Sequence, residues 1–365
     1  MKILLDAHML GQKETGNGRY WKNLILHLAK FIDSKNIILY CNLPKNQLPK
    51  EFQKFIIFTP KFKNGFYRIF FGFNEAIKKY KPDLIHIQNF TPWKKTIPIV
   101  NTVHDLCFKT YSQTFGLKSK IAFQLFFSRS LKLSNMIVVP SFFVKKMLLK
   151  YYPFLDKNKV VVTYEAADSV FKYIGNKNKV KNYLSKKFNI TSDFFLVVGE
   201  IQLRKQPLKI ISAFKKILKK YPHTLLIFTG PNKINLKEEK NIKIFNYVSD
   251  EDLNYLYNGA KALIYFSLCE GFGLPIIEAM ATKTPVICSN IPVFREITNN
   301  QAIFVNNTKE LVPAMKNFLE NKDLKQRFSL LGYQRSKFFS WEKTAKKTSE
   351  IYQWVFQTKN SPITK

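Results

Sequence analysis

The stretch from Ala262 to Glu278 constrains this chain more than any other. Ala262-Leu263-Ile264-Tyr265-Phe266 is apolar without alternation, so it reads as a strand buried on both faces, the kind found in the middle of a parallel sheet. A glycine-bearing turn, Cys269-Glu270-Gly271-Phe272-Gly273, follows, and Pro275 can open a helix at its first position, where no N–H is needed. Strand, turn and helix in this order make a βα unit and point to an α/β fold. Free N–H groups at the helix start and the positive end of its dipole form an anion site, and Gly271 and Gly273 let a diphosphate approach the main chain. Glu278, one turn into the helix, would repel that same diphosphate. Its carboxylate either accepts from neighbouring hydroxyls of a ribose or hexose or complements the helix dipole.

The same logic recurs along the whole chain. In the first half the spacing predicts strands at 3–6, 37–41, 84–87, 97–104, 136–140 and 160–163, with a polar loop at Gly16-Asn17-Gly18-Arg19 and a helix over 20–31. The polar run Gly175-Asn176-Lys177-Asn178-Lys179 precedes a restart, with strands at 194–199, 225–229, 262–266 and 285–289 and helices at 207–221, 249–258 and 275–282. At 365 residues two domains are expected, at 1–170 and 171–340, each a Rossmann-like α/β domain with a parallel sheet, facing each other across a cleft. A basic helix over 341–365 closes the chain and can pack back on the first domain.

The balance of 59 Lys+Arg against 25 Asp+Glu gives a net charge of +34, a field that attracts nucleic acid, anionic lipid or anionic small molecules. Lysine is spread along the chain with no nucleic-acid-binding signature, and the abundance of Lys, Asn, Ile, Phe and Tyr is what AT-rich coding produces. Nucleic acid is therefore disfavoured as a partner, and an anionic membrane surface is the better candidate. The N-terminus is charged too early for a signal peptide, and no apolar run is long enough to span a bilayer, which places the protein in the cytoplasm. The four cysteines show no C-x-x-C pairing and suggest neither a zinc site nor a disulfide framework.

Four loops fall at carboxyl ends of the expected strands, where an open α/β sheet builds its site. Gly16-Asn17-Gly18-Arg19 is half a dinucleotide fingerprint, but Trp21 stands where its third glycine would be, which disfavours NAD. His104-Asp105 brings an imidazole to the sheet rim. Arg204-Lys205 puts two cations before the helix opened by Pro207, where a departing diphosphate needs them. Glu270 to Glu278 is the fourth. Asp250-Glu251-Asp252 spells a metal-binding D-x-D, but Ser249 and Asp252 read as a helix N-cap box, so no metal site is assigned. Two basic aromatic segments, Phe66-Tyr67-Arg68-Ile69-Phe70-Phe71-Gly72-Phe73 and Phe123-Gln124-Leu125-Phe126-Phe127-Ser128-Arg129, suit either a membrane surface or a core-packing helix.

Glu270-Gly271-Phe272-Gly273-Leu274-Pro275-Ile276-Ile277-Glu278-Ala279-Met280-Ala281, followed by Thr284-Pro285-Val286-Ile287, resembles the signature of retaining family 4 glycosyltransferases of GT-B architecture. Gly16 to Tyr20, Val103-His104-Asp105-Leu106, and Val198-Gly199-Glu200 with Arg204-Lys205 are similar to further motifs of that family, in order. The resemblance implies a catalytic pair, His104 near the reacting carbon and Glu270 on the transferred sugar's hydroxyls. It implies that Glu278 binds the donor ribose, that Arg204 and Lys205 neutralise the diphosphate, and that Gly18, Gly271, Phe272, Gly273 and Leu274 line the donor. It also implies no metal and no cofactor beyond the donor itself, a GDP- or UDP-linked sugar. Lys283 departs from the family's glycine after the helix, so a left-handed cap there would be strained or replaced by another turn.

The leading expectation is a hexosyltransferase on the inner membrane face, moving mannose from GDP-mannose onto a growing glycan or lipid-linked acceptor for a cell-surface polysaccharide or lipopolysaccharide. Two alternatives stand beside it: a nucleotide-sugar epimerase on the same fold, and a non-catalytic basic protein that binds nucleic acid or membrane.

Overall fold

The computed structural model describes residues 1–11, 16–114 and 116–360. The chain divides into two compact units, one formed by Met1–Glu165 with Ser340–Lys365 and the other by Ala166–Phe339.

The first unit is built on seven strands: β1 (Ile3–Leu5), β2 (Ile37–Tyr40), β3 (Ile56–Phe58), β4 (Leu84–Gln88), β5 (Ile99–Thr102), β6 (Met136–Val139) and β7 (Val160–Val162). They form one parallel sheet in the order β3-β2-β1-β4-β5-β6-β7. Every residue of β1, β2, β4, β5 and β6 is buried, which is why these runs carry no alternation. In register, Leu5 of β1 faces Leu39 of β2 and His86 of β4, so the residues that follow emerge side by side. The winding reverses between β1 and β4, and an open sheet leaves a crevice for ligands at such a switch point.

The helix Gly16–Leu28 covers the sheet with Tyr20, Trp21, Leu24, Ile25 and Leu28. It starts at Gly16 rather than at Tyr20, so Gly16 to Arg19 is a first helical turn and not a loop. Glycine is tolerated at a helix start because the first N–H groups have no intrahelical partner there. The terminal helix Trp341–Asn360 belongs to this unit and packs on Gly16–Leu28, with the Trp341 ring edge-on to Tyr20 at 5.9 Å and Tyr352 fully buried.

The second unit holds β8 (Phe194–Val198), β9 (Leu225–Thr229), β10 (Ile242–Phe245), β11 (Ala262–Tyr265), β12 (Val286–Ser289) and β13 (Ile303–Val305), parallel in the order β10-β9-β8-β11-β12-β13. Its switch point lies between β8 and β11. The helix Pro207–Leu218 buries Ile210, Phe214 and Ile217 against the sheet, and Thr308–Glu320 adds Leu311, Met315 and Phe318 to the same core. Asp250–Gly259 is capped by Ser249, whose side chain accepts from the Asp252 N–H at 3.1 Å; Asp252 also meets Lys187 at 2.7 Å. After the helix Leu274–Ala281, Lys283 does adopt the left-handed conformation, at φ 60°, and Thr284 N–H donates to Ala279 at 2.8 Å. The glycine-type cap is kept with a lysine in it, at a strain of roughly 1–2 kcal/mol.

Candidate functional site

In the second unit, the loops after β8 and β11 meet at the switch point. Leu268 N–H donates to the Arg204 carbonyl at 2.9 Å and ties them together. Arg204 Nη1 lies 2.7 Å from Glu270 Oε1, with only 14% and 13% of the side chains exposed, and Arg204 also donates to the Cys269 carbonyl. Glu270 Oε1 receives Ser267 Oγ at 2.9 Å and the Tyr265 hydroxyl at 3.2 Å as well. Arg204 and Glu270, which the sequence suggests as separate anion and hydroxyl readers, are thus each other's counterion.

Lys205, half-buried, lies beside this pair. Its ammonium donates to the Val198 carbonyl at 3.2 Å and lies 4.9 Å from the centre of the Tyr265 ring. Burial lowers its pKa, and Glu270 offsets part of the fall. Gly199 makes the position possible: its φ is 100°, and a Cβ there would lie 2.2 Å from Lys205 Nζ.

Glu278 is buried and accepts from the Tyr257 hydroxyl at 2.7 Å. It lies beyond the first turn of its helix, so dipole complementation does not account for it. Gly273, at φ 115°, starts that helix. Phe272 and Leu274 are buried, Phe272 edge-on to Phe339 at 5.6 Å, so what this turn offers a ligand is its main chain. Tyr257, Tyr265 and Ser267 were not singled out in the sequence. They look like core or turn residues there, and only the return of the chain at Glu270 and Glu278 gives their hydroxyls a task.

In the first unit, His104 follows β5, and its Nδ1 stands 3.5 Å from Glu165 Oε1. The Tyr20 ring packs edge-on against the imidazole at 4.8 Å, and the buried Nε2 has no hydrogen-bond partner. Asp105, the sequence neighbour, accepts from the Cys107 N–H at 2.8 Å, and Glu165 is a carboxylate set against the imidazole. Glu165 lies just past β7, and the strand-end rule that found His104 would have found it. Gly18 is buried in the first turn of Gly16–Leu28.

Behind His104 runs a buried polar chain. The Tyr20 hydroxyl meets Thr102 Oγ1 at 3.0 Å, His86 Nε2 meets the same oxygen at 2.7 Å, and His86 Nδ1 meets the Tyr352 hydroxyl at 2.5 Å. Burial pushes the pKa of His86 down to about 3, so the ring is neutral and uses one nitrogen as donor and the other as acceptor.

Two family models match, one for each half of the chain: Glycosyltransferase Family 4 over residues 15–170 and Glycosyl transferases group 1 over residues 180–335. The O-antigen chain mannosyltransferase RfbU of Salmonella typhimurium is 32% identical over 251 residues, 64% of this chain and 65% of that protein. The O-antigen chain mannosyltransferase B of Escherichia coli is 24% identical over 97% of this chain and all of its own length. Among solved structures, sucrose-phosphate synthase of Thermosynechococcus elongatus superposes with a TM-score of 0.79 at 17% identity, covering 98% of this chain and 99% of that one.

Proposed function

This chain is a glycosyltransferase of family 4, with the two α/β domains of the GT-B fold, and from that premise we propose that it moves mannose from GDP-mannose to a glycan or lipid-linked acceptor, with retention and without a metal. The observation that carries the reading is the Arg204–Glu270 pair, with half-buried Lys205 beside it, at the switch point of the second unit's sheet. The names of the two relatives support mannose and a place in O-antigen assembly.

An arriving diphosphate competes for the Arg204 guanidinium and frees Glu270 to accept from hydroxyls of the transferred sugar. Arg204 and Lys205 then offset the charge that grows on the leaving diphosphate, the task a metal would otherwise perform. Glu278 takes the ribose hydroxyls, and the N–H groups from Gly271 to Leu274 face the phosphates. The acceptor attacks from the face the nucleotide leaves, with the donor phosphate as base, so no enzymic nucleophile is needed.

Radiolabelled GDP-mannose and UDP-hexoses, incubated with wild type, Glu270→Ala and Arg204→Ala, test this. Hydrolysis or transfer of a donor by wild type and its loss in both variants is expected. Full activity in both variants would refute the site, and inertness of wild type toward every donor would refute the reaction.

A membrane surface is the second partner proposed. Among the described residues no helix is long and apolar enough to cross a bilayer. Phe66 and Phe71 are 66% and 53% exposed, and stacked rings run from Phe66 to Phe70 at 4.4 Å and on to Trp93 at 5.0 Å, with the Arg129 guanidinium 4.5 Å over Trp93. Rings flanked by cations suit an anionic headgroup layer. Flotation with phosphatidylglycerol vesicles is expected to fail for Phe66→Ser/Phe71→Ser, and equal flotation of that variant would refute the docking face.

A further inference from the structure

Glu165 is a carboxylate that the reading above leaves without a task. It stands just past β7, where the first unit hands the chain to the second, and it is 5% exposed. A buried carboxylate is costly unless a cation or a proton donor answers it. Asp156 and Asp168, the acids on either side of it in the chain, are spent on turns: Asp156 accepts from the Asn158 N–H at 2.8 Å and Asp168 from the Val170 N–H at 3.2 Å. Among the described residues Glu165 accepts no such bond, and the His104 imidazole is its one ion-pair partner, Nδ1 to Oε1 at 3.5 Å.

The main chain fixes both partners. Before Glu165, the Thr163 N–H donates to the Val139 carbonyl at 2.9 Å, and the Thr344 hydroxyl of the terminal helix donates to the Tyr164 carbonyl. Before His104, the Val103 N–H donates to the Val138 carbonyl at 2.8 Å. The carboxylate and the imidazole are thus aimed by the sheet and the helix on it, not by a free loop. Tyr20, edge-on to the imidazole, is near enough for the Glu165 charge to add to the rise that burial gives its pKa, but its hydroxyl is committed to Thr102 Oγ1 at 3.0 Å. The proton left for Glu165 to take is the one on His104.

We propose that Glu165 is a positioning residue for His104, holding the proton on Nδ1 and the ring in one orientation for the transfer. A carboxylate only accepts, so the proton facing it belongs on Nδ1, and in a neutral ring Nε2 then carries the lone pair. A settled hydrogen bond spans about 2.7–3.2 Å, and catalytic pairs commonly stand farther apart until substrate tightens them, which is where this pair stands. The stake is geometric, because a displacement of about 1 Å near a reacting centre costs on the order of 100-fold in rate. Packing alone is a poorer account, since a leucine would fill the space without burying a charge. The assignment rests on the glycosyltransferase reading, in which His104 stands near the reacting carbon.

Imidazole proton–nitrogen NMR of the full chain with labelled histidine tests it, taken at about pH 9, well above the ordinary imidazole value, with the His104 signals assigned through His104→Asn. Wild type is expected to carry the His104 proton on Nδ1, and Glu165→Leu to lose that preference. In donor turnover Glu165→Leu should lower kcat by about 10- to 100-fold with donor KM little changed. Glu165→Gln, whose amide oxygen still accepts from Nδ1–H, should keep the tautomer and recover part of kcat. Calorimetry of GDP and UDP, expected to match wild type in both variants, reports that the second unit is intact. A wild-type proton on Nε2, wild-type kcat in Glu165→Leu, or equal losses in the Leu and Gln variants would overturn the proposal. If wild type is inert toward every donor, the donor reading falls instead, and the His104 tautomer in wild type and Glu165→Leu still decides whether Glu165 holds the ring.

Discussion

The carboxyl edges of the two sheets are built alike and finished differently. In the second unit the polar groups answer one another: Arg204 with Glu270, Tyr265 and Ser267 with Glu270, Tyr257 with Glu278. Among the described residues, all but one of the buried side-chain polar atoms without a hydrogen-bond partner lie in the first unit, the exception being Ser289 Oγ. A self-satisfied edge keeps its charged groups in place until a donor diphosphate exchanges the Arg204–Glu270 pair for contacts of its own. An edge with unpaired polar atoms is less completely settled by its own side chains, and on a shared fold it is the residues of the site that set function.

The largest way to break this contrast is Arg204→Ala, which removes the guanidinium and strands the Glu270 carboxylate. Donor kcat/KM should fall by about 100-fold or more, a loss of roughly 3 kcal/mol. A fall under tenfold would mean the pair is structural.

Acid should weaken the first unit through His86. The folded ring titrates at about 3 and an unfolded one near the ordinary 6.5, so between those values the unfolded chain binds more protons and stability drops as pH falls. From pH 6.5 to 4.5 the cost is roughly 2 kcal/mol. His86→Leu should start less stable, because Thr102 and Tyr352 lose their partner, yet show a flatter acid slope of Tm.

A smaller effect, about tenfold in donor affinity or roughly 1.4 kcal/mol, is expected for Lys205→Met. Because burial lowers the ammonium's pKa, wild-type affinity should begin to fall with rising pH before the ordinary lysine value of 10.5, and the variant should lack that dependence. Gly199→Ala should mimic it in part, since its Cβ would displace Lys205 Nζ. The smallest expected loss is in Ser267→Ala, which removes one of several donors to Glu270 and should cost about 1 kcal/mol in donor binding.

The central strands were legible because burial on both faces writes an unbroken apolar run. The edge strands β3, β10 and β13 were not, since each pairs on one side only, is three or four residues long and is half exposed; Ile242-Lys243-Ile244-Phe245 carries a lysine in its middle. Glu270, Glu278, Arg204 and Lys205 could be found by position, at strand ends and helix starts. Their mutual pairing could not, because Arg204 and Glu270 are far apart in the chain and meet only through the parallel order of β8 and β11. Asp6 and Tyr40 look like ordinary strand ends in the sequence, and what sets them apart is a buried atom on each without a hydrogen-bond partner, a property that exists only in three dimensions.

The helix Trp341–Asn360 completes the first unit although the whole second unit precedes it in the chain. The first unit is therefore the earlier half to be synthesised and the later to be finished. While residues 166–339 are being made, roughly 9 to 35 seconds at ordinary translation rates, Gly16–Leu28 and His86 have no Trp341 or Tyr352 to close over them. The half-built sheet spends that interval with an apolar face open, when it is most in need of a chaperone.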